Sequence, residues 1–264
     1  MTQYDVLSDK YNVIDSLPYR EMEAQNLFET LKPLLQNKPR VIDFACGTGF
    51  YTLKLLEWGA GSVTGVDISE PMLTAAAARL AKTPYAPLAS FIAGDGTQPA
   101  AAHTADGRAE WYDVALGVWF LNYSDSRASL TAMFRSVALN LKPGGVFVGV
   151  VPHPTEDLAG RAEVYRRGSL DRMPPCNVYT EALRSGDGWG LRVRLDEDTE
   201  FMTYHLRPRV YEEAARAAGL RGEFTWRREK LLGDDWRAKI PLTGSEWQIR
   251  EENPHMGILV VWKN

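Results

Sequence analysis

Arg40 to Thr52 reads R-V-I-D-F-A-C-G-T-G-F-Y-T, a stretch whose residue types suit close approach to a small ligand. Val41, Ile42, Phe44 and Ala45 form a short apolar run ending at a glycine turn, which predicts a strand buried on both faces. Gly47 and Gly49 make that turn, where the backbone needs left-handed angles that glycine adopts without penalty. Phe50 to Trp58 continues as a helix, so the loop lies at a helix N-terminus, in the crevice where doubly wound sheets bind nucleotides. The spacing narrows the ligand. A dinucleotide fingerprint requires a third glycine at 52, where Thr52 stands, and no phosphate-cradling G-x-x-x-x-G-K-S/T is present. Asp67 closes the next apolar run, 63 to 67, twenty positions after Gly47. A carboxylate there accepts hydrogen bonds from a ribose diol. Asp43, just before the loop, repels phosphate and suits a cation. Together these residues predict a site for a nucleoside without a pyrophosphate.

The series D-F-A-C-G-T-G followed by V-T-G-V-D-I-S resembles the first two motifs of the class I S-adenosylmethionine-dependent methyltransferases. The resemblance implies a cofactor that is a sulfonium carrying an adenosine and an amino-acid tail. It also implies a Rossmann-like α/β fold: a doubly wound, seven-stranded, mostly parallel sheet with an antiparallel last strand. The cofactor would contact Asp43, Ala45, Gly47, Gly49 and Asp67. Ile68 and Met72 would flank the adenine, although core packing accounts for both equally. Asp95, between Gly94 and Gly96, corresponds to the family residue that hydrogen-bonds the adenine amino group, while D-G is also common in turns. In this family the N-terminal segment lies over the cofactor, which makes Tyr11, Tyr19 and Arg20 candidates for its carboxylate end. The alternative is that these tyrosines pack the first helix onto the sheet.

Further elements follow from periodicity. Residues 20 to 36 read as a helix stopped by Pro39, and 70 to 82 as an alanine-rich helix with Ser69 at its cap. Strands are expected at 89–93, 112–120 and 146–151, with an amphipathic helix over 124–141 ended by Lys142-Pro143-Gly144-Gly145. Gly117, Val118, Trp119 and Phe120 fall at the ligand end of the fourth strand. Residues 98 to 111 read as a polar surface loop with a solvated His103. A helix over 207–218, a strand over 222–230, a variable loop over 236–253 and a final strand over 256–262 complete the sheet. The expected organisation is one domain over 1–264: an N-terminal lid and helix to 36, a cofactor-binding half over 40–152, an insertion or cap over 153–204, and the rest of the sheet over 205–264.

The insertion follows the fifth strand at the edge where ligands bind and carries Tyr165, Tyr179, Trp189, Phe201 and Tyr204. Residues 191–195 and 200–204 read as an antiparallel pair around Asp196-Glu197-Asp198. Trp119, Tyr179 and Tyr204 are therefore candidates for holding a flat, aromatic or heteroaromatic acceptor, or else members of a second apolar cluster. His153 is the leading candidate for a base, with His205 and Tyr4 behind it. Leu121-Asn122-Tyr123 stands where amide and adenine N-methyltransferases of this superfamily place N/D-P-P-Y/F, which argues against such substrates. The chain ends, including E-W-Q-I-R-E-E-N-P-H-M-G-I-L-V-V-W-K-N, resemble toxoflavin methyltransferase-like proteins and imply secondary metabolism.

Apolar residues make up 45% of the 264, enough for a sizeable core, and the net charge of −4 argues against a nucleic-acid partner. Cys46 and Cys176 form no disulfide framework, and no metal-ligand spacing surrounds either. No apolar run is long enough to span a bilayer and no signal-peptide core is evident, so a cytoplasmic protein acting on a small molecule is expected. Two rival readings remain: a non-catalytic cofactor-binding or interaction module of the same fold, and a nicotinamide oxidoreductase, which Thr52 disfavours.

Overall fold

A computed structural model describes residues 12–98, 103, 107–167, 176–195 and 199–264. Tyr4, Tyr11 and the acidic turn at 196–198 lie outside the described residues. A 3-10 turn at Asn12–Ser16 leads into helix α1 (Pro18–Leu31), with proline in its first turn, where a missing N–H costs nothing. Strand β1 (Arg40–Phe44), helix α2 (Phe50–Glu57), strand β2 (Ser62–Asp67), helix α3 (Glu70–Ala81) and strand β3 (Ala89–Ala93) form the first half of the fold. Strand β4 (Tyr112–Val118), helix α4 (Arg127–Asn140) and strand β5 (Leu141–Pro152) continue it.

The 7-stranded sheet has the order β3-β2-β1-β4-β5-β10-β9, where β9 is Phe224–Arg228 and β10 is Met256–Trp262. Pairs β3–β2, β2–β1, β1–β4 and β4–β5 are parallel, and β10 runs antiparallel to both its neighbours. The strand order reverses between β2 and β4, on either side of β1. That places the loop after β1 at the topological switch point, where open α/β sheets bind ligands. Both faces are covered. Leu130, Phe134 and Val137 of α4 and Val210 and Tyr211 of α6 (Pro208–Ala217) fill one side; Leu27 and Leu31 of α1 and Leu55 and Leu56 of α2 fill the other. A strand buried on both faces needs an unbroken apolar run, which Val146 to Val151 supplies.

Between β5 and α6 the chain adds helix α5 (Leu158–Arg167) and a 3-stranded antiparallel sheet, β6 (Cys176–Ala182), β7 (Gly188–Arg194) and β8 (Glu200–Leu206). The β7–β8 pair is the one expected from sequence; α5 and β6 are additional. Residues 236–253, read as a loop, contain the second half of helix α7 (Asp234–Arg237) and all of helix α8 (Gly244–Glu252). Helix α8 starts at a capping box in which the Thr243 hydroxyl receives the Glu246 N–H and the Glu246 carboxylate receives the Thr243 N–H.

His103 corrects the sequence reading. It is buried rather than solvated, edge-on to Phe44 with ring centres 5.8 Å apart. Its N–H donates to Asn140 Oδ1 at 2.8 Å and its carbonyl accepts from the Tyr112 hydroxyl at 2.6 Å. Burial holds its imidazole below the ordinary histidine range, against a weaker opposing pull from Asp95.

Candidate active site

A cavity of about 230 Å³ opens at the carboxyl ends of β1, β2, β3 and β4. Its floor is the loop after β1. Gly47 takes φ +53° and its N–H donates to Asp67 Oδ2 at 2.8 Å; the Ser69 N–H donates to Asp67 Oδ1 at 3.0 Å. Asp67 is thus fixed by two backbone donors, and it lines the cavity as a carboxylate acceptor. Gly49, at φ +77°, serves packing instead: a Cβ there would stand 2.9 Å from Ala76 Cβ, where α2 meets α3.

Two non-glycine residues on the cavity wall also have left-handed backbones: Ala45 at φ +54° after β1 and Trp119 at φ +56° after β4. Such angles cost an L-residue about 1–2 kcal/mol, and residues held there cluster at functional sites.

Asp43 lies under the loop, 1% exposed, and accepts the Thr52 hydroxyl at 2.7 Å. Burial pushes its carboxyl up to about 7, against the Thr52 hydrogen bond and with help from the charge on Asp67. Asp95 does two things at once. Its Oδ1 accepts the Thr97 N–H and hydroxyl, closing the turn, while the residue also lines the cavity. Ile68 and Met72 form an apolar wall, and Ile68 is left 50% exposed, a face a ligand would cover.

The N-terminal segment closes the opposite side. Asp15 pairs with Arg79 at 2.6 Å, and Arg79 Nε donates to the Thr48 carbonyl at 2.8 Å. Arg20 lines the cavity, stacks over Phe50 at 5.0 Å and pairs with the buried Glu23 at 2.5 Å.

A second, smaller cavity of about 50 Å³ adjoins the first, and Arg20, Trp119 and Tyr123 line both. Its remaining wall includes Ile14, Tyr19 and Glu23, residues of β7 and β8, and Asn122, Asn177 and His255. The three-stranded insertion therefore covers this side of the site.

Of the residues read from sequence, Arg20, Asp43, Ala45, Gly47, Asp67, Ile68, Met72, Gly94, Asp95, Gly96, Val118, Trp119 and Phe120 line the larger cavity. Gly49 and Gly117 do not; a Cβ at Gly117 would meet the Phe147 ring at 3.0 Å, a packing role. Tyr19 lines the smaller cavity only.

Tyr179, Tyr204 and His153 line neither cavity. Tyr179 accepts from Arg161 Nε at 2.8 Å, so its hydroxyl proton is free for His205 Nδ1 at 2.7 Å. Burial, with Arg161 nearby, holds His205 well below the ordinary histidine range. His153 is pushed down to about 4 by burial and by Arg161 and Arg228, and its backbone N–H donates to the His255 carbonyl. Sequence reasoning missed Tyr51 and Asn122, beside motifs it used, and Asp15, Glu23 and His255, which reach the site from distant segments.

Residues 41–145 match a family model described as a methyltransferase domain. A curated relative, a demethylmenaquinone methyltransferase of Symbiobacterium thermophilum, is 30% identical over 156 residues, 55% of this chain and 55% of the relative's length. Among solved structures, an S-adenosylmethionine-dependent methyltransferase of Methanosarcina mazei aligns with TM-score 0.57 at 17% identity, over 87% of this chain and 94% of that one. Another, from Mesorhizobium loti, aligns with TM-score 0.54 at 19% identity, over 89% and 96%. At such identities these structures establish a shared fold.

Proposed function

We propose that this chain, whose residues 41–145 match a methyltransferase-domain model, is a class I S-adenosylmethionine-dependent methyltransferase that transfers a methyl group by in-line displacement to a nitrogen, oxygen or sulfur of a small aromatic or heteroaromatic molecule. The carrying observation is the pair of adjoining cavities that share Trp119 as a wall. One suits a nucleoside, and the other is small and mostly apolar, as sites for compact ligands are.

The donor set fits S-adenosylmethionine. Asp67 is pinned by two N–H groups and lines the larger cavity, where its carboxylate suits a ribose diol. Ile68 and Met72 offer an apolar wall to the adenine and Asp95 a carboxylate to its amino group. Asp43 and Arg20 would lie toward the charged tail, and Ala45, Gly47, Gly94, Gly96, Val118 and Phe120 would complete the contact. When bound, the cofactor supplies an electrophilic methyl on a sulfonium sulfur.

The chain's own residues then have two tasks. Trp119, fixed in a strained backbone, holds the acceptor in line; alignment of this kind is worth several kcal/mol of barrier. The lid, tied by Asp15 to Arg79, keeps water out. The relative named for demethylmenaquinone also supports a ring-shaped acceptor.

Incubating the protein with methyl-labelled S-adenosylmethionine and a panel of one-ring phenols, anilines, thiols and nitrogen heterocycles tests this reading. Label should appear in at least one product and be lost in Asp67→Ala. Cofactor binding with no transfer to any member would favour the non-catalytic reading.

A further inference from the structure

The smaller cavity is mostly apolar, with Ile14, Leu191, Val193, Leu195 and Phe201 on its walls. Into this lining the chain places two neutral polar side chains, each with one buried atom unpartnered among the described residues. The Tyr19 hydroxyl and Asn122 Oδ1 have no hydrogen-bond partner among the described residues, although Tyr19 is 7% and Asn122 3% exposed. They arrive from separate elements, Tyr19 from α1 and Asn122 from the turn after β4. A buried polar atom without a partner is a cost that folding proteins avoid, and two beside one cavity mark a place where a ligand supplies the partners.

Tyr19 is held by packing alone. Its ring lies edge-on to His255 at 4.8 Å and tilted against Trp119 at 6.4 Å, which shares the cavity wall. Burial, then the nearby carboxylates of Glu23 and Glu229, push its phenol up, so it remains a proton donor at neutral pH. The nearest charged groups are already paired. Glu23 receives Arg20, Tyr51 and Trp119, and Glu229 receives Arg250 and the Met256 N–H.

From this juxtaposition we infer that Tyr19 and Asn122 recognise the polar head of the methyl acceptor, and that the acceptor is a neutral, one-ring-sized molecule whose head both donates and accepts a hydrogen bond, as a phenol or enol does. The Tyr19 hydroxyl donates to the head's lone pair, and Asn122 Oδ1 receives its O–H or N–H. Tyr19 thereby belongs to the acceptor side rather than to the cofactor's carboxylate end. A carboxylate head fits poorly, because Asn122 Oδ1 would oppose it. The inference rests on the methyltransferase reading only for calling the ligand an acceptor.

The test uses phenol, benzene and benzoate as probes. Their binding is measured by ligand-observed NMR to the full chain, alone and with S-adenosylhomocysteine, in wild type and in Tyr19→Phe. Phenol is expected to bind at least about threefold more tightly than benzene, the scale of one net hydrogen bond, and more tightly than benzoate. In Tyr19→Phe that preference should vanish, with S-adenosylhomocysteine affinity within about twofold of wild type. The variant's melting temperature should be unchanged or higher, since it loses a hydroxyl that bonds nothing.

A preference that survives in Tyr19→Phe overturns the inference. So does preferential binding of benzoate, failure of both neutral rings to bind, a tenfold loss of S-adenosylhomocysteine affinity, or a clear drop in melting temperature. Asn122→Leu gives a second reading, in which phenol should lose its advantage over benzene. If wild type ignores S-adenosylhomocysteine while the phenol preference still depends on Tyr19, the cofactor reading falls and the pocket assignment stands.

Discussion

The Trp119 indole N–H donates to Glu23 Oε2 at 2.5 Å across 96 positions of sequence. Glu23 is completely buried in α1, and its other oxygen receives Arg20 at 2.5 Å and the Tyr51 hydroxyl at 2.6 Å. One carboxylate thus fixes helix α1, the start of α2 and the wall between the two cavities. Trp119 holds a left-handed backbone, a conformation that persists only where its surroundings over-determine it.

Glu23→Ala should therefore be severe. It would leave a buried guanidinium, a phenol and an indole N–H without their acceptor. Breaking a buried ion pair from one side costs about 3–5 kcal/mol, or at least about 6 °C in melting temperature for a chain of this size. Glu23→Gln, which keeps an acceptor, should fall between. A thermal melt of Glu23→Ala within about 1 °C of wild type would show that the carboxylate holds nothing.

Trp119→Ala separates two roles for the same ring. As a wall for the acceptor, its loss should raise KM or lower kcat while S-adenosylhomocysteine affinity and melting temperature stay nearly constant. As core, truncation should cost about 3–5 kcal/mol. Paired kinetics and thermal melts decide, and a folded variant with normal turnover would remove Trp119 from the acceptor site.

Asp43 sets a pH dependence with a definite sign. Its folded pKa of about 7 lies above its ordinary 3.8, so between those values the folded chain keeps a proton that the unfolded chain has lost. Its contribution is fully present below about pH 4 and is lost as pH rises through about 7, an effect on the order of a few kcal/mol. The melting temperature of wild type minus that of Asp43→Asn should therefore fall from pH 5 to pH 8. A difference that stays flat would place the Asp43 titration elsewhere.

The cofactor half was legible because its signals are local. Val41 to Ala45, Gly47 and Asp67 are tied by one strand, one turn and the next strand end, so spacing alone brings Gly47 and Asp67 together. The smaller cavity was not. Glu23 reads in sequence as an ordinary helix charge, and Asn122, Asn177 and His255 meet only because the insertion folds back over the sheet edge. Strand β6 lacks clean alternation, and its register with β7 shifts between Tyr179 and Ala182. His103 was misread because the alanine-rich stretch around it shows no strand or helix periodicity, while its burial comes from Phe44, Tyr112 and Asn140. Helix α8 did carry a signal, the T-x-x-E capping box from Thr243 to Glu246.

Asp67→Ala should weaken S-adenosylhomocysteine binding at least about tenfold, since charge-assisted hydrogen bonds to a diol are worth roughly 1.5–3 kcal/mol each. The Gly47 N–H loses its acceptor at the wall of the cavity, where water can replace it, and the buried Ser69 N–H loses one bond, a cost the fold should survive. An unchanged dissociation constant in a folded variant would show that this carboxylate does not hold the ribose.

Which nucleoside ligand the β1 loop accepts is the most direct test of the site. Isothermal titration of the wild-type chain with S-adenosylhomocysteine and, separately, with NAD measures this. The loop with Thr52 in place of a third glycine and Asp67 pinned at the end of β2 predicts binding of S-adenosylhomocysteine and no detectable heat from NAD. Binding of NAD with none of S-adenosylhomocysteine would contradict it.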